Sequence, residues 1–152
     1  MPRLSSRGFR EERGQAQVEF ALSIMVVLVT VFCAWELLMA MYTASVMADA
    51  AKEGVRYAIV HGSNSSLCSG PNPSNPCASD PTAGEVVNTV QTYAQASLHD
   101  ISAITVTVSY PDGTNDAPNR VQVTVTYQYV PYVQLGFFTP TLTTKAAGRI
   151  VN

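Results

Sequence analysis

Charge is scarce in this sequence. Ionisable Asp, Glu, Lys and Arg side chains make up 13% of the 152 residues, about half the ~25% usual for soluble globular chains. Nine basic and eleven acidic groups leave a net charge of −2 at pH 7, so no basic footprint for nucleic acid exists. The same poverty of charge argues against a disordered tail protein. Three cysteines and two histidines are too few for a zinc cluster or a haem attachment motif, and neither metal nor cofactor is expected. Ser/His/Asp sets, paired-carboxylate motifs, phosphate loops and His-x-x-x-His spacings are all missing, so no catalytic residue is expected.

The charges present are unevenly placed. Residues 1–14 carry Arg3, Arg7, Arg10 and Arg13 against Glu11 and Glu12. From Phe20 to Trp35 no charge occurs; Glu36 interrupts, and Leu37 to Tyr42 is again largely apolar. Residues 20–42 are long enough to span a bilayer, which needs ~20 mostly apolar residues. They are too long for the apolar core of a cleaved secretory signal, and no A-x-A site follows. A buried core helix is the competing reading. With four arginines ahead and only Lys52 and Arg56 close behind, the positive-inside rule places the N-terminus in the cytoplasm and the bulk of the chain outside.

No proline occurs between Gln15 and Ser69, so one helix is expected over 15–60, about 70 Å long at ~1.5 Å per residue. Its amphipathic part, 43–60, carries a stripe of Met47, Ala50, Ala51, Gly54, Val55, Ala58 and Ile59 at helical spacing, with Asp49, Lys52, Glu53 and Arg56 on the other face. Residues 61–82, rich in Pro, Gly, Ser and Asn, read as a loop. Cys68 and Cys77 lie within it, and in an oxidising compartment a disulfide would tie it down, contributing ~2–3 kcal/mol. A reactive pair is the alternative, but it lacks Cys-x-x-Cys spacing and a nearby base. Cys33 reads as an apolar filler in the span.

The remainder, 83–152, reads as a mixed head. Thr82 and Glu85 have capping-box spacing before a helix expected over 83–98. Strands follow in the alternation of Ile104 to Tyr110 and of Val121 to Tyr129, with turn signals at Pro111-Asp112-Gly113 and Asn115 to Asn119. A third strand over Leu142 to Val151 is weakened by Ala146, Ala147 and Gly148. The fold class is therefore α+β: a long N-terminal membrane-spanning helix continuing into an amphipathic helix packed on a small antiparallel sheet, with a second helix. The Met47–Ile59 stripe is the available cover for the sheet. His61 and His99 are expected to end helices. Tyr127, Tyr129 and Tyr132 with Phe137 and Phe138 read either as core filling or as an adhesive surface.

Two stretches carry a resemblance. Gly14-Gln15-Ala16-Gln17-Val18-Glu19-Phe20 resembles a class III prepilin signal: a short basic leader, Gly, four residues, Glu, then the apolar helix. Ala50-Ala51-Lys52-Glu53-Gly54-Val55-Arg56-Tyr57-Ala58 resembles the motif of TadE-like pseudopilins of the tight adherence (Flp type IV) pilus system, with Ala51, Glu53, Gly54, Arg56 and Tyr57 as its matching positions. Glu36 matches an acidic residue near the end of that family's membrane segment. Lys52 and Val55 stand where the family often has Arg and Ala, and Leu37-Leu38-Met39 replaces the usual Phe-Gly-Arg type.

The resemblance implies a structural subunit rather than an enzyme. A prepilin peptidase would cut after Gly14, removing the 1–14 leader and leaving Gln15 as the new N-terminus. The subunit would sit in the bacterial inner membrane, single-pass, with an extracytoplasmic head, before an assembly platform draws it toward a filament. Its partners would be the peptidase, other pilins and pseudopilins, the platform and the lipid bilayer. Glu19 would pair with the α-amine of a packed neighbour and set register, since a misregistered pair strands a charge in lipid; an ordinary interfacial glutamate is the simpler reading. Glu36 reads equally as an assembly contact or as a carboxylate snorkelling to the outer surface. The rival function is a permanently anchored extracytoplasmic binding or adhesion protein that never enters a filament. A membrane-tethered enzyme lacks residues to support it.

Overall fold

The computed structural model describes residues 8–72, 79–98, 100–132 and 139–152, with side chains described from residue 14 onward. Cys77, His99, Phe137 and Phe138 therefore lie outside the described residues, as do Arg3 and Arg7. Helix α1 runs Gly8–Val60, followed by α2 (Gly84–Gln95), a 3-10 turn (Ile101–Ala103), and strands β1 (Ile104–Ser109), β2 (Arg120–Gln128) and β3 (Thr141–Arg149). This is the expected α+β set. The chain divides into two units, Met1–Leu38 and Met39–Asn152.

In the first unit, helix α1 begins seven residues before the expected Gln15, inside the basic leader. Leader residues such as Arg, Glu and Gln are good helix formers, and the single Gly14 costs only ~1 kcal/mol against them. From Gly14 to Trp35 every residue is exposed, and the helix is long and apolar enough to cross a membrane. Within it the Thr30 hydroxyl donates to the Val26 carbonyl at 2.9 Å, an internal bond that can be kept in hydrocarbon. Cys33 is a free, exposed thiol.

In the second unit the sheet has order β1-β2-β3, antiparallel throughout. Strand β2 alternates strictly: Val121, Val123, Val125 and Tyr127 are buried, while Arg120 and Gln128 face solvent and Gln122, Thr124 and Thr126 are half-buried. Period-two alternation is what a sheet with one covered face requires. The cover is helical. Met47, Ala50, Ala51, Val55 and Ala58 of α1 and Val86, Val90 and Ala94 of α2 join the β2 valines in one core. Each fully buried valine is worth ~1.5–3 kcal/mol of transfer free energy.

One of the small residues that weaken β3 by propensity, Gly148, is explained by packing. A side chain on Gly148 would press on Ile59 Cδ1 at 2.5 Å and Val55 Cγ1 at 2.8 Å. Close approach of α1 thus outweighs local strand preference. Strand β3 stops at Arg149, short of the expected Val151: Ile150 N still donates in register to Asn119 O, but Asn119 N turns to Asp116 O and Val151 N to Ile59 O, so the ladder ends there.

Two local expectations are corrected. Helix α2 ends at Gln95, three residues early, and Thr82 does not cap it. Its N-cap is Ala83, at φ 58° and ψ 36° with no side-chain cap. Asp80 does the capping from upstream: its carboxylate accepts from Gly84 N at 2.6 Å and Glu85 N at 2.9 Å. The 61–82 loop, in turn, does not depend on cysteine alone. Ser69 Oγ donates to Asp80 at 2.6 Å, Asn72 Nδ2 to Asp116 at 2.9 Å, and Tyr110 OH to Ser69 O at 3.2 Å.

Candidate functional site

The residues singled out by sequence fall into three places. Gly14, Gln15, Glu19 and Glu36 lie on the first unit's helix. Gly14, Gln15 and Glu19 are exposed and Glu36 is half-buried. A side chain on Gly14 would meet nothing within 4 Å. Glu19 and Glu36 are seventeen residues apart, about 25 Å along the axis and roughly 100° apart around it. One straight neighbouring helix therefore does not serve both carboxylates on a single stripe.

The Ala50–Ala58 stretch occupies the core of the second unit. Ala51 is fully buried. Gly54 lies where α1, α2 and β2 converge: a Cβ there would overlap Val90 Cγ2 and sit 3.6 Å from both Val86 Cγ1 and Val123 Cγ1. Glu53 and Arg56 turn outward and pair with each other at 3.3 Å, and Lys52 pairs with Asp49 at 3.0 Å. Such exposed i,i+3 pairs add only a few tenths of a kcal/mol. Tyr57 stacks on His61 with ring centroids 3.9 Å apart and planes 15° apart. Burial raises the Tyr57 hydroxyl above its ordinary pKa, and the Glu85 and Asp80 carboxylates push it the same way. His61 follows the last helical residue, and its Nδ1 lies 2.8 Å from the Tyr57 carbonyl. Since a carbonyl only accepts, Nδ1 carries the proton and the ring closes the helix end. Five of the motif's nine residues are buried side chains or a packed glycine; the motif builds the head.

The third place is the loop. Cys68 is buried and its sulfur accepts from Asn115 Nδ2 at 3.2 Å. Cys77 lies outside the described residues, so the expected pairing is not described. Sequence reasoning passed over the two side chains that organise this region. Asn115, fully buried, donates from Nδ2 to Ser69 O at 3.1 Å; its backbone N–H bonds Pro71 O and its carbonyl accepts from Ser63 N. Asp80, 8% exposed, would have its carboxyl pKa raised by burial, but bonds from Ser69 Oγ and the Glu85 and Gly84 amides outweigh that and hold it low. Tyr110, beside it, is pushed up to about 12 by burial and by the Asp80 charge. The available signal was Asp80-Pro81 ahead of a helix, a turn-and-cap pattern.

The tyrosine cluster divides. Tyr127 and Tyr129 fill the core and Tyr132 is exposed. Among the described residues no three His, Cys, Asp or Glu side chains gather as a metal would need.

With the helix and its packing motif in place, the comparison with known families can be set beside them. Residues 14–56 match the TadE-like protein family. The chain carries a TadE-like segment. That segment starts at the glycine of the signal-like stretch, takes in the apolar helix and stops within the packing motif at Arg56. It leaves the loop, α2 and the sheet unmatched. No curated protein and no solved structure matches the chain.

Proposed function

We propose that the protein is a TadE-like pseudopilin or minor pilin, a structural subunit in assembly of a tight adherence pilus and so in surface attachment. The observation that carries this reading is the continuous family match over residues 14–56, which joins the signal, the apolar helix and the packing motif in order. The same match supports association with a pilus system, and the long apolar helix supports a single-pass anchor. In this reading the chain inserts into the inner membrane with its N-terminus cytoplasmic. Prepilin peptidase cleavage follows between Gly14 and Gln15, and the assembly platform then hands the subunit to other pilins. Glu19 supplies the register charge and Glu36 a second polar contact at the far side of the bilayer. Cys68 and Cys77 close the loop as a disulfide once the head has left the cytoplasm. The protein acts as a building block and substrate of the machinery, not a catalyst.

Intact-mass analysis of membrane-isolated protein tests this directly. The expected chain begins at Gln15, and Gly14→Leu abolishes that species. Retention of residues 1–14 in cells with an active prepilin peptidase would instead favour a permanently anchored binding protein.

A further inference from the structure

Strands β1, β2 and β3 contain no acidic residue, yet all three cationic side chains beyond residue 61 lie on them: Arg120, Lys145 and Arg149. The five acids of the same stretch lie off the sheet. The register places the cations on the face opposite the helices. Thr105 pairs with Thr126 and Thr126 with Thr143; Thr107 pairs with Thr124 and Thr124 with Lys145. The result is two rows across the sheet, with steps of about 4.8 Å from strand to strand, one of three hydroxyls and one of two hydroxyls ending in the Lys145 ammonium.

Arg120 and Arg149 stand directly opposite each other, a like-charge pairing that ordinarily destabilises a sheet. Asp112 bonds directly to one of them, at 2.7 and 3.1 Å from the Arg120 guanidinium, and reaches Arg149 only through its longer-range charge. Lys145 and Arg149 make no ion pair among the described residues, and both are exposed.

We propose that this face binds an acidic polysaccharide. Lys145 and Arg149 meet its carboxylates, and the threonine rows exchange hydrogen bonds with its hydroxyls. Charge complementarity selects a polyanion, and the rest of the face selects its kind. A membrane surface is gripped by apolar side chains inserted below the headgroups, and the face carries none larger than Ala147 beyond threonine methyls. Nucleic acid needs stacking aromatics and denser cations, and the face has neither. Cations set among many hydroxyls suit a chain whose carboxylates are themselves set among hydroxyls, as in a polyuronate. The inference stands beside the pilus reading and does not depend on it.

The test uses the full chain in nonionic detergent on immobilised polygalacturonate, with dextran as the neutral control. Binding is expected to polygalacturonate and not to dextran, with log affinity falling by about one to two per decade of salt, as for one or two released counterions. Lys145→Gln with Arg149→Gln should weaken binding at least ~10-fold and flatten the salt dependence. Thr107→Val with Thr124→Val, which keeps shape and charge, should weaken it several-fold at unchanged salt slope. Near-UV circular dichroism verifies that each variant is folded. Wild-type binding by either double variant, equal retention on dextran, or displacement by micelles doped with phosphatidylglycerol would overturn the proposal.

Discussion

Gly54→Ala is the substitution whose sign separates a packed motif from a merely helical one. On a solvent-facing helix it would stabilise by ~1 kcal/mol, because alanine is the better helix former. Here the new methyl overlaps Val90 Cγ2. Val90 is fully buried, and a β-branched side chain in a helix has one strongly preferred χ1, so it does not swing aside. Overpacking of this kind costs about 1–3 kcal/mol. Less the helix gain, the net loss is ~0–2 kcal/mol, or a melting point lower by up to roughly 10 °C for a head of this size. Near-UV circular dichroism of the head tyrosines reads the melt. A double-mutant cycle isolates the cause. Val90→Ala alone should cost about 2–3 kcal/mol by lost burial and a cavity. In the Gly54→Ala background it should cost distinctly less, since the new methyl fills part of that cavity and its clash disappears. A Gly54→Ala variant more stable than wild type, or two costs that simply add, would refute the idea that α1 and α2 touch backbone-close at this residue.

Three further outcomes are expected. Asp80→Asn should lower stability at neutral pH by about 1.5–3 kcal/mol, the range for hydrogen bonds to a charged group. Because the Asp80 pKa is lowered on folding, its contribution is full above the unfolded carboxyl value of ~3.9 and is lost as pH falls below it; acid titration of the variant should show a shallower fall below pH 4, and an unchanged slope would contradict the capping role. Thiol trapping of unreduced, alkylated membrane material should label Cys33 on denaturation and leave Cys68 and Cys77 unlabelled; ready labelling of both would remove the proposed disulfide. Glu19→Gln should leave insertion and cleavage after Gly14 intact while reducing incorporation into sheared surface fibres. Wild-type incorporation by that variant would retire the charge-register mechanism and leave the family match untouched.

Much of the architecture was legible in one dimension because its causes are local. An uncharged run from Phe20 to Trp35 and the absence of proline to Ser69 dictate a long helix wherever it is placed. Strict alternation from Val121 to Tyr127 dictates a half-covered strand, and the Met47–Ile59 stripe announces that something small-residue-tolerant lies against it. The Gly14 to Phe20 and Ala50 to Ala58 stretches were likewise readable as a family resemblance, since each is a contiguous word.

What only the tertiary structure decided are the matters that depend on residues far apart in sequence. Asp80 captures the α2 N-terminus from upstream because Ala83 takes a left-handed turn, so the nearer Thr82 loses a role its spacing had suggested. Asn115 reaches back more than forty residues to organise the 61–72 loop, and no periodicity marks a single polar side chain for that work. Gly148 looks like a poor strand residue until Val55 and Ile59 are seen to occupy the space a side chain would need. Propensity speaks for one residue and its neighbours in the chain; close packing and buried hydrogen bonds are set by neighbours in space, and at these positions they win because a buried clash or an unpaired polar group costs more than the ~1 kcal/mol that propensity commands.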